Sequence, residues 1–307
     1  LALQERTERS LADALKQFDN DVTNAAAMVV DTETAEVLAR VGSADFYGTP
    51  GGGQVDGCRA LRSPGSALKP FTYALALERN ALYSTEMLLD DSLDYGLYNP
   101  ENYDGKYRGL VSASYALRRS LNVPAVTVLD RLGYDDMHCF LAASGLTTLV
   151  KPAEYYGLGL TLGNCEARLD QLAAAYCMLA NLGEYRPLRE TFGPPPQSHR
   201  LLSTGTCLAL YEMLDQEFPQ EFQRDMVRAI GYQPRVCWKT GTSTGNHDAW
   251  AFVFNRHYVV GVWLGNNDAK PSKYLVGARA ALPLAARIFR ALPKKTRMKF
   301  AMPLRAQ

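Results

Sequence analysis

Apolar runs of strand length crowd the two ends of the chain, while the middle is patterned for helices. Near the start, AAAMVVDTETAEVLARVGS holds two such runs around a polar turn at Asp31 to Thr34. Near the end, RVCWKTGTS and DAWAFVFNRHYVVGVWLGN hold three more, with Asn255-Arg256 marking a tight turn. Runs of this length bounded by turn residues read as strands. Between them SASYALRRSLN, VPAVTVLDRLG, DDMHCFLAASG, EARLDQLAAAYCMLANLG and STGTCLALYEMLDQEF carry apolar residues at helical spacing, several ending at glycine. Strands at both ends enclosing helices predict an α+β fold. One antiparallel sheet is built from both chain ends and flanked by helices, with an inserted helical subdomain. The cleft between sheet and subdomain is the default place for a site. Residues 5–20 read as a polar helix, GARAALPLAARIFRAL as a helix interrupted or kinked at Pro283, and TPGGGQVDG and GPPPQSH as loops.

Composition narrows the function classes. At 307 residues and 47% hydrophobic the chain can bury a sizeable core, as two domains or one large mixed one. A net charge of +1 offers no handle for a polyanion, which disfavours nucleic acid. No run approaches the ~18 apolar residues of a membrane span. The chain opens on Leu1 rather than Met and has no signal-peptide pattern, so it reads as a piece of a longer protein. Six cysteines show neither a Cys-x-x-Cys pair nor metal-ligand spacing; they read as free, partly buried thiols, with one disulfide left open for an oxidising compartment. None of the four histidines pairs with another at i, i+4, which disfavours a zinc hydrolase and leaves no metal to expect.

Three short patterns carry the chemistry. Ser66-Ala67-Leu68-Lys69 is the only Ser-x-x-Lys, Ser120-Leu121-Asn122 the only Ser-x-Asn, and Lys239-Thr240-Gly241-Thr242 contains the only Lys-Thr-Gly. Singly they are weak: a Ser-x-x-Lys arises by chance about once in a chain this long, and Lys-Thr-Gly in roughly one such chain in twenty. Alone, Ser66 and Lys69 would be a helix cap beside a solvated lysine, RRSLNVP a helix stop, and Lys-Thr-Gly a strand ending in a turn. All three in this order form the constellation of an active-site serine. Residues three apart share a helix face, so Ser66 Oγ and the Lys69 amine can meet. Ser66 follows Pro64-Gly65 at a helix start, where free N–H groups favour a developing oxyanion. Pro70 fits only if Ser66 to Lys69 form the opening turn. Lysine is a poor base near pKa 10.4, so burial and a second cation, Lys239, would have to lower Lys69. Ser120 would relay a proton to the leaving amine and Asn122 would hold the substrate amide. Gly241 would let a substrate backbone lie beside the strand, while Lys239, Thr240 and Thr242 offer donors to a carboxylate.

Longer stretches extend the pattern. SPGSALKPFTYALALE, SASYALRRSLNVPAV, LGLTLGNCEARLDQLAAAYCMLANLGEYRPL, KTGTS and DAWAFVFNRHYVVGVWLGNND resemble the transpeptidase domain of bifunctional (class A) penicillin-binding proteins. The asparagine-rich YNPENYDGKYRGLVSASYALRRSLNVPAV and the late LVGARAALPLAARIF most resemble the penicillin-binding protein 1C branch. The likeness runs from residue 26 to 292, leaving 1–25 as a linker or remnant of a preceding domain and 293–307 as a tail. It implies a β-lactamase-like fold and D,D-transpeptidation of peptidoglycan stem peptides ending in D-Ala-D-Ala, through an acyl-serine and without cofactor. It also implies inhibition by β-lactam antibiotics and a place in the periplasm or on the outer face of the bacterial cytoplasmic membrane. Full-length relatives carry a membrane anchor and a glycosyltransferase domain before this region. By motif, Ser66 becomes the nucleophile and Lys69 its base, with Ser120, Asn122, Lys239, Thr240, Gly241 and Thr242 completing the site.

The same scaffold also serves D,D-carboxypeptidases, β-lactamases and non-turnover β-lactam sensors. The Glu-x-x-Leu-Asn pattern that activates water in class A β-lactamases is missing between the second and third motifs; EMLLD is a near miss that precedes Ser120. The motifs alone leave transferase, hydrolase and sensor open.

Overall fold

The computed structural model describes residues 1–48, 52–94, 96, 98–191, 193–194, 196–218 and 236–293; the opening of TPGGGQVDG, Pro195 of GPPPQSH and most of the expected tail lie outside them. The elements run α1 (Ala2–Leu15), β1 (Asn24–Asp31), β2 (Val37–Val41), a 3-10 turn (Gly65–Leu68), α2 (Lys69–Glu78), β3 (Met87–Asp90) and β4 (Gly109–Ser112). Then come α3 (Ala113–Arg118), α4 (Asn122–Leu132), α5 (Tyr134–Ala143), α6 (Ala153–Tyr156), α7 (Leu169–Ala180), β5 (Glu184–Tyr185), β6 (His199–Arg200) and α8 (Thr204–Leu214). The described chain closes with β7 (Cys237–Thr242), β8 (Asp248–Phe254), β9 (Tyr258–Gly265) and α9 (Ala281–Arg290).

The five long strands form one sheet in the order β2-β1-β9-β8-β7, antiparallel throughout, so both chain ends build it as the sequence predicts. All eight residues of β1 are buried because the sheet is covered on both faces. Ala26, Met28 and Val30 enter one core with α2, α4 and α7. Ala25, Ala27 and Val29 enter a second, with Leu11 of α1 and Leu282, Ala285 and Ile288 of α9. Period-two alternation therefore looks like an unbroken apolar run, since each face finds its own partner. The turns behave as read: Asn255 Oδ1 accepts from the backbone N–H groups of His257 and Tyr258.

Three expectations are corrected. Pro283 falls in the first turn of α9, where the proline nitrogen breaks no helical bond, so it starts the helix instead of kinking it. The helix of STGTCLALYEMLDQEF stops at Leu214, four residues early, where Asp215 turns extended and bridges to Cys237. Two short ribbons, β3-β4 and β5-β6, were hidden among the helical patterns because segments of two to four residues show no resolvable period. None of the six cysteines, all among the described residues, is in a disulfide; five are buried and Cys139 is exposed.

Candidate active site

Ser66 sits in the 3-10 turn that opens α2, and Pro70 occupies the helix's second position, where its missing N–H costs nothing. Two side chains from the core fix this turn: Trp250 Nε1 donates to Ser63 O at 2.8 Å and the Tyr176 hydroxyl donates to Ala67 O at 2.7 Å. Tyr176 is itself stacked on Phe252, with ring centroids 4.2 Å apart. Gly65 takes φ +53°, and a Cβ there would lie 2.3 Å from Thr242 O. Only glycine satisfies both demands.

β7 is the edge strand of the sheet and presses directly on this turn. A Cβ on Gly241 would meet Pro64 O at 2.3 Å and Ala67 N at 3.0 Å. The face of β7 on which a side chain at position 241 would stand is thus filled by the Ser66 turn itself. Overpacking of this kind costs typically about 1–3 kcal/mol. Gly241→Ala is expected to lower stability by that amount in denaturant unfolding, and an unchanged midpoint would show that strand and turn are not in contact.

Ser120 and Asn122 are placed by the junction of α3 and α4. Ser120 N donates to Leu117 O at 3.1 Å and Leu121 N to Ala116 O at 2.9 Å, the paired bonds that end a helix through a left-handed residue. Ser120 is that residue, at φ 58°. Glycine is usual there, and a side chain costs about 1–2 kcal/mol. The helix stop and the site residue are therefore one feature. Strain is held where the hydroxyl is wanted.

Two lysines converge on that hydroxyl. Lys239 Nζ donates to Ser120 Oγ at 2.7 Å and to Thr240 O at 2.8 Å. Lys69 Nζ donates to Ser120 O at 2.6 Å and Asn122 Oδ1 at 2.7 Å, with Ser120 Oγ at a slack 3.5 Å. Sequence spacing pointed Lys69 at Ser66; the structure directs its firm bonds to the Ser-x-Asn motif. Both lysines are buried, at 0% and 2% exposure. Burial, and then the like charge of Lys239, holds Lys69 well below the ordinary lysine value. Burial alone pushes Lys239 down to about 7.

Along β7, Cys237, Lys239 and Gly241 are buried while Trp238, Thr240 and Thr242 are half-buried on the other face. The two threonines share a side, as alternation predicts. Thr242 Oγ1 accepts from Gly277 N at 3.0 Å, leaving its own proton available. A cavity of about 670 Å³ extends past the site, from Ser63 before the turn to Ser243 and Thr244 after β7. Among the described residues, no group of three or more His, Cys, Asp or Glu could hold a metal ion.

All eight residues singled out from sequence thus lie on three abutting elements. Trp250, Tyr176, Gly277 and Asn102, whose Oδ1 accepts from Asn122 N at 2.8 Å, were missed. Each acts through a tertiary contact across 20 or more positions, which no local pattern encodes.

A serine in a tight turn, two buried lysines and an edge strand beneath a helical subdomain define an active-site serine domain. Residues 25–249 match the penicillin binding protein transpeptidase domain. Penicillin-binding protein 1C of Escherichia coli is 36% identical over 84% of this chain and 33% of its own length. Penicillin-binding protein 1A of Aquifex aeolicus is 33% identical over 83% of this chain and 36% of its own. Among solved structures, PonA1 of Mycobacterium tuberculosis in complex with penicillin V superposes with a TM-score of 0.75 at 20% identity, over 94% of this chain and 81% of that one. The chain belongs to the penicillin-binding protein transpeptidase family, a family of serine acyltransferases, and spans about a third of the length of these curated relatives.

Proposed function

We propose that this domain is a peptidoglycan D,D-transpeptidase, cross-linking stem peptides that end in D-Ala-D-Ala. The observation that carries the reading is the pair of buried lysines meeting at Ser120 beside the Ser66 turn. A neutral Lys69 keeps two donors for Ser120 O and Asn122 Oδ1. Its lone pair keeps the remaining direction, in which Ser120 Oγ stands at a slack 3.5 Å, and takes the Ser66 proton as the hydroxyl attacks. Ser66 Oγ attacks the penultimate D-Ala carbonyl, and the tetrahedral oxyanion forms against N–H groups of the turn and strand edge. As the C–N bond breaks, the terminal D-Ala nitrogen collects a proton through Ser120, which Lys69 and Lys239 flank. The acyl group then passes from Ser66 to an amine of a second stem, whose lost proton returns through the same lysine. Asn122 holds the donor amide, and β-lactams enter as mimics that stay on Ser66.

Family membership supports a setting outside the bacterial cytoplasmic membrane, with an anchor and a glycosyltransferase domain in the full-length protein. No described helix is long and apolar enough to cross a membrane.

The test is product analysis on a stem pentapeptide with a second stem as acceptor. The expected product is a cross-linked dimer with one D-alanine released per bond. A trimmed monomer alone would make the domain a carboxypeptidase, and neither product would make it a β-lactam sensor.

A further inference from the structure

Residues 99–106 take no part in the chemistry above, yet they close on the site. Helix α4 starts at Asn122 with no capping side chain of its own, because Leu121 precedes it. Asn102 supplies the cap from a distance: its Oδ1 accepts from Asn122 N at 2.8 Å and from Val123 N at 3.4 Å. Its Nδ2 donates to Asp90 Oδ1 at 2.7 Å and to Lys106 O at 2.8 Å, so this buried carboxamide has a partner on each side. Asp90 is itself fully buried and also accepts from Arg108 N at 3.0 Å. The neighbouring Glu101 O accepts from Asn122 Nδ2 at 2.7 Å. That bond selects one of the two carboxamide orientations of Asn122, the one that turns its oxygen toward Lys69 Nζ at 2.7 Å. Turned over, Asn122 would set donor against donor.

We propose that Asn102, anchored by Asp90, is a positioning residue for acyl transfer: it docks the loop so that Glu101 and Asn102 together hold Asn122 with its oxygen on Lys69. The proposal rests on the reading of Ser66 as nucleophile and Lys69 as its base. Without the clamp, Asn122 is free to rotate, and Lys69 loses one of the two short bonds that aim it.

Asn102→Asp separates this role from simple capping. The carboxylate still accepts from Asn122 N, but it loses the donor to Asp90 and faces a like charge. Combining it with Asp90→Asn restores a donor and acceptor pair with the roles exchanged. In the full chain, Asn102→Ala and Asn102→Asp are expected to slow the first-order acylation step with saturating penicillin ten- to a hundredfold. The noncovalent dissociation constant should stay within about threefold, and the Asp90→Asn, Asn102→Asp pair should recover most of the rate.

A second readout needs no reaction. In ¹⁵N-labelled protein the Asn122 side-chain amide, identified by its loss in Asn122→Asp, should exchange with solvent at least about tenfold faster in Asn102→Ala than in wild type. It should slow again in the role-exchanged pair. Wild-type acylation and unchanged amide exchange in Asn102→Ala overturn the proposal, whatever the variant's melting temperature. So does a rate loss that the role-exchanged pair does not recover while its fold is intact. Failure of the underlying reading looks different: wild type itself then takes no penicillin on Ser66.

Discussion

Lys69→Ala is expected to slow penicillin acylation at least about a hundredfold, while the wild-type adduct is confined to the peptide SPGSALK and absent in Ser66→Ala. A positioned general base contributes typically ~10²–10⁴-fold, and Lys69 opens the helix whose preceding turn carries Ser66. Its noncovalent affinity for penicillin should change far less, because Lys69 spends its short bonds on Ser120 and Asn122, inside the protein. The pH profile carries the sign. The working form is the neutral amine, so the rate rises as pH is raised through the Lys69 pKa and levels above it. Burial and the nearby Lys239 lower that pKa, which places the plateau well below pH 10.5. Lys239 is the charged group that faces Lys69, across Ser120. Lys239→Gln should therefore move the rise to higher pH, while Lys69→Ala removes it. Acylation within about threefold of wild type in Lys69→Ala would send the search for the base to Ser120 or Lys239.

How much of this was legible depends on the range of the interaction. The sheet could be read because β1, β8 and β9 are long enough for their apolar runs to stand out, and because a strand buried on both faces leaves no polar interruptions. The eight site residues could be read because each motif is local: one turn for Ser66 and Lys69, one helix junction for Ser120 and Asn122, one strand for Lys239 to Thr242. What joins the motifs was not legible. Lys69 turned to Ser120 rather than Ser66 because the junction of α3 and α4 presents a carbonyl at 2.6 Å, a contact spanning 51 positions. That Gly241 also packs against the Ser66 turn was not legible, because sequence cannot say which face of a strand meets another backbone. Asn102 lay in a stretch whose composition marked a branch of the family, but whose bond to Asn122 exists only once Asp90 is folded beneath it.

Replacing the terminal carboxylate of the donor peptide by a primary amide is expected to lower acylation efficiency about a hundredfold or more. Such a peptide, like penicillin, carries its anion two bonds beyond the nitrogen of the scissile bond, which brings it along β7 when the carbonyl is at Ser66. Thr240 and Thr242 present hydroxyls from one face of that edge strand. The Gly277 N–H occupies an acceptor site of Thr242 Oγ1, turning its proton outward. Lys239 contributes from behind: its ammonium is tied to Thr240 O and Ser120 Oγ, so it acts through its field more than by direct contact. Hydrogen bonds to a charged group are worth roughly 1.5–3 kcal/mol each. Two of them lost together make at least about 3 kcal/mol, or a factor of about a hundred. Thr240→Val with Thr242→Val should reduce acylation of the acid by a similar factor and show little further penalty from amidation, because the partners that read the charge are already gone. The cycle of two substrates and two enzymes isolates that coupling from any general loss. Equal treatment of acid and amide by the wild-type enzyme would detach β7 from carboxylate recognition and take the D-Ala-D-Ala substrate class with it.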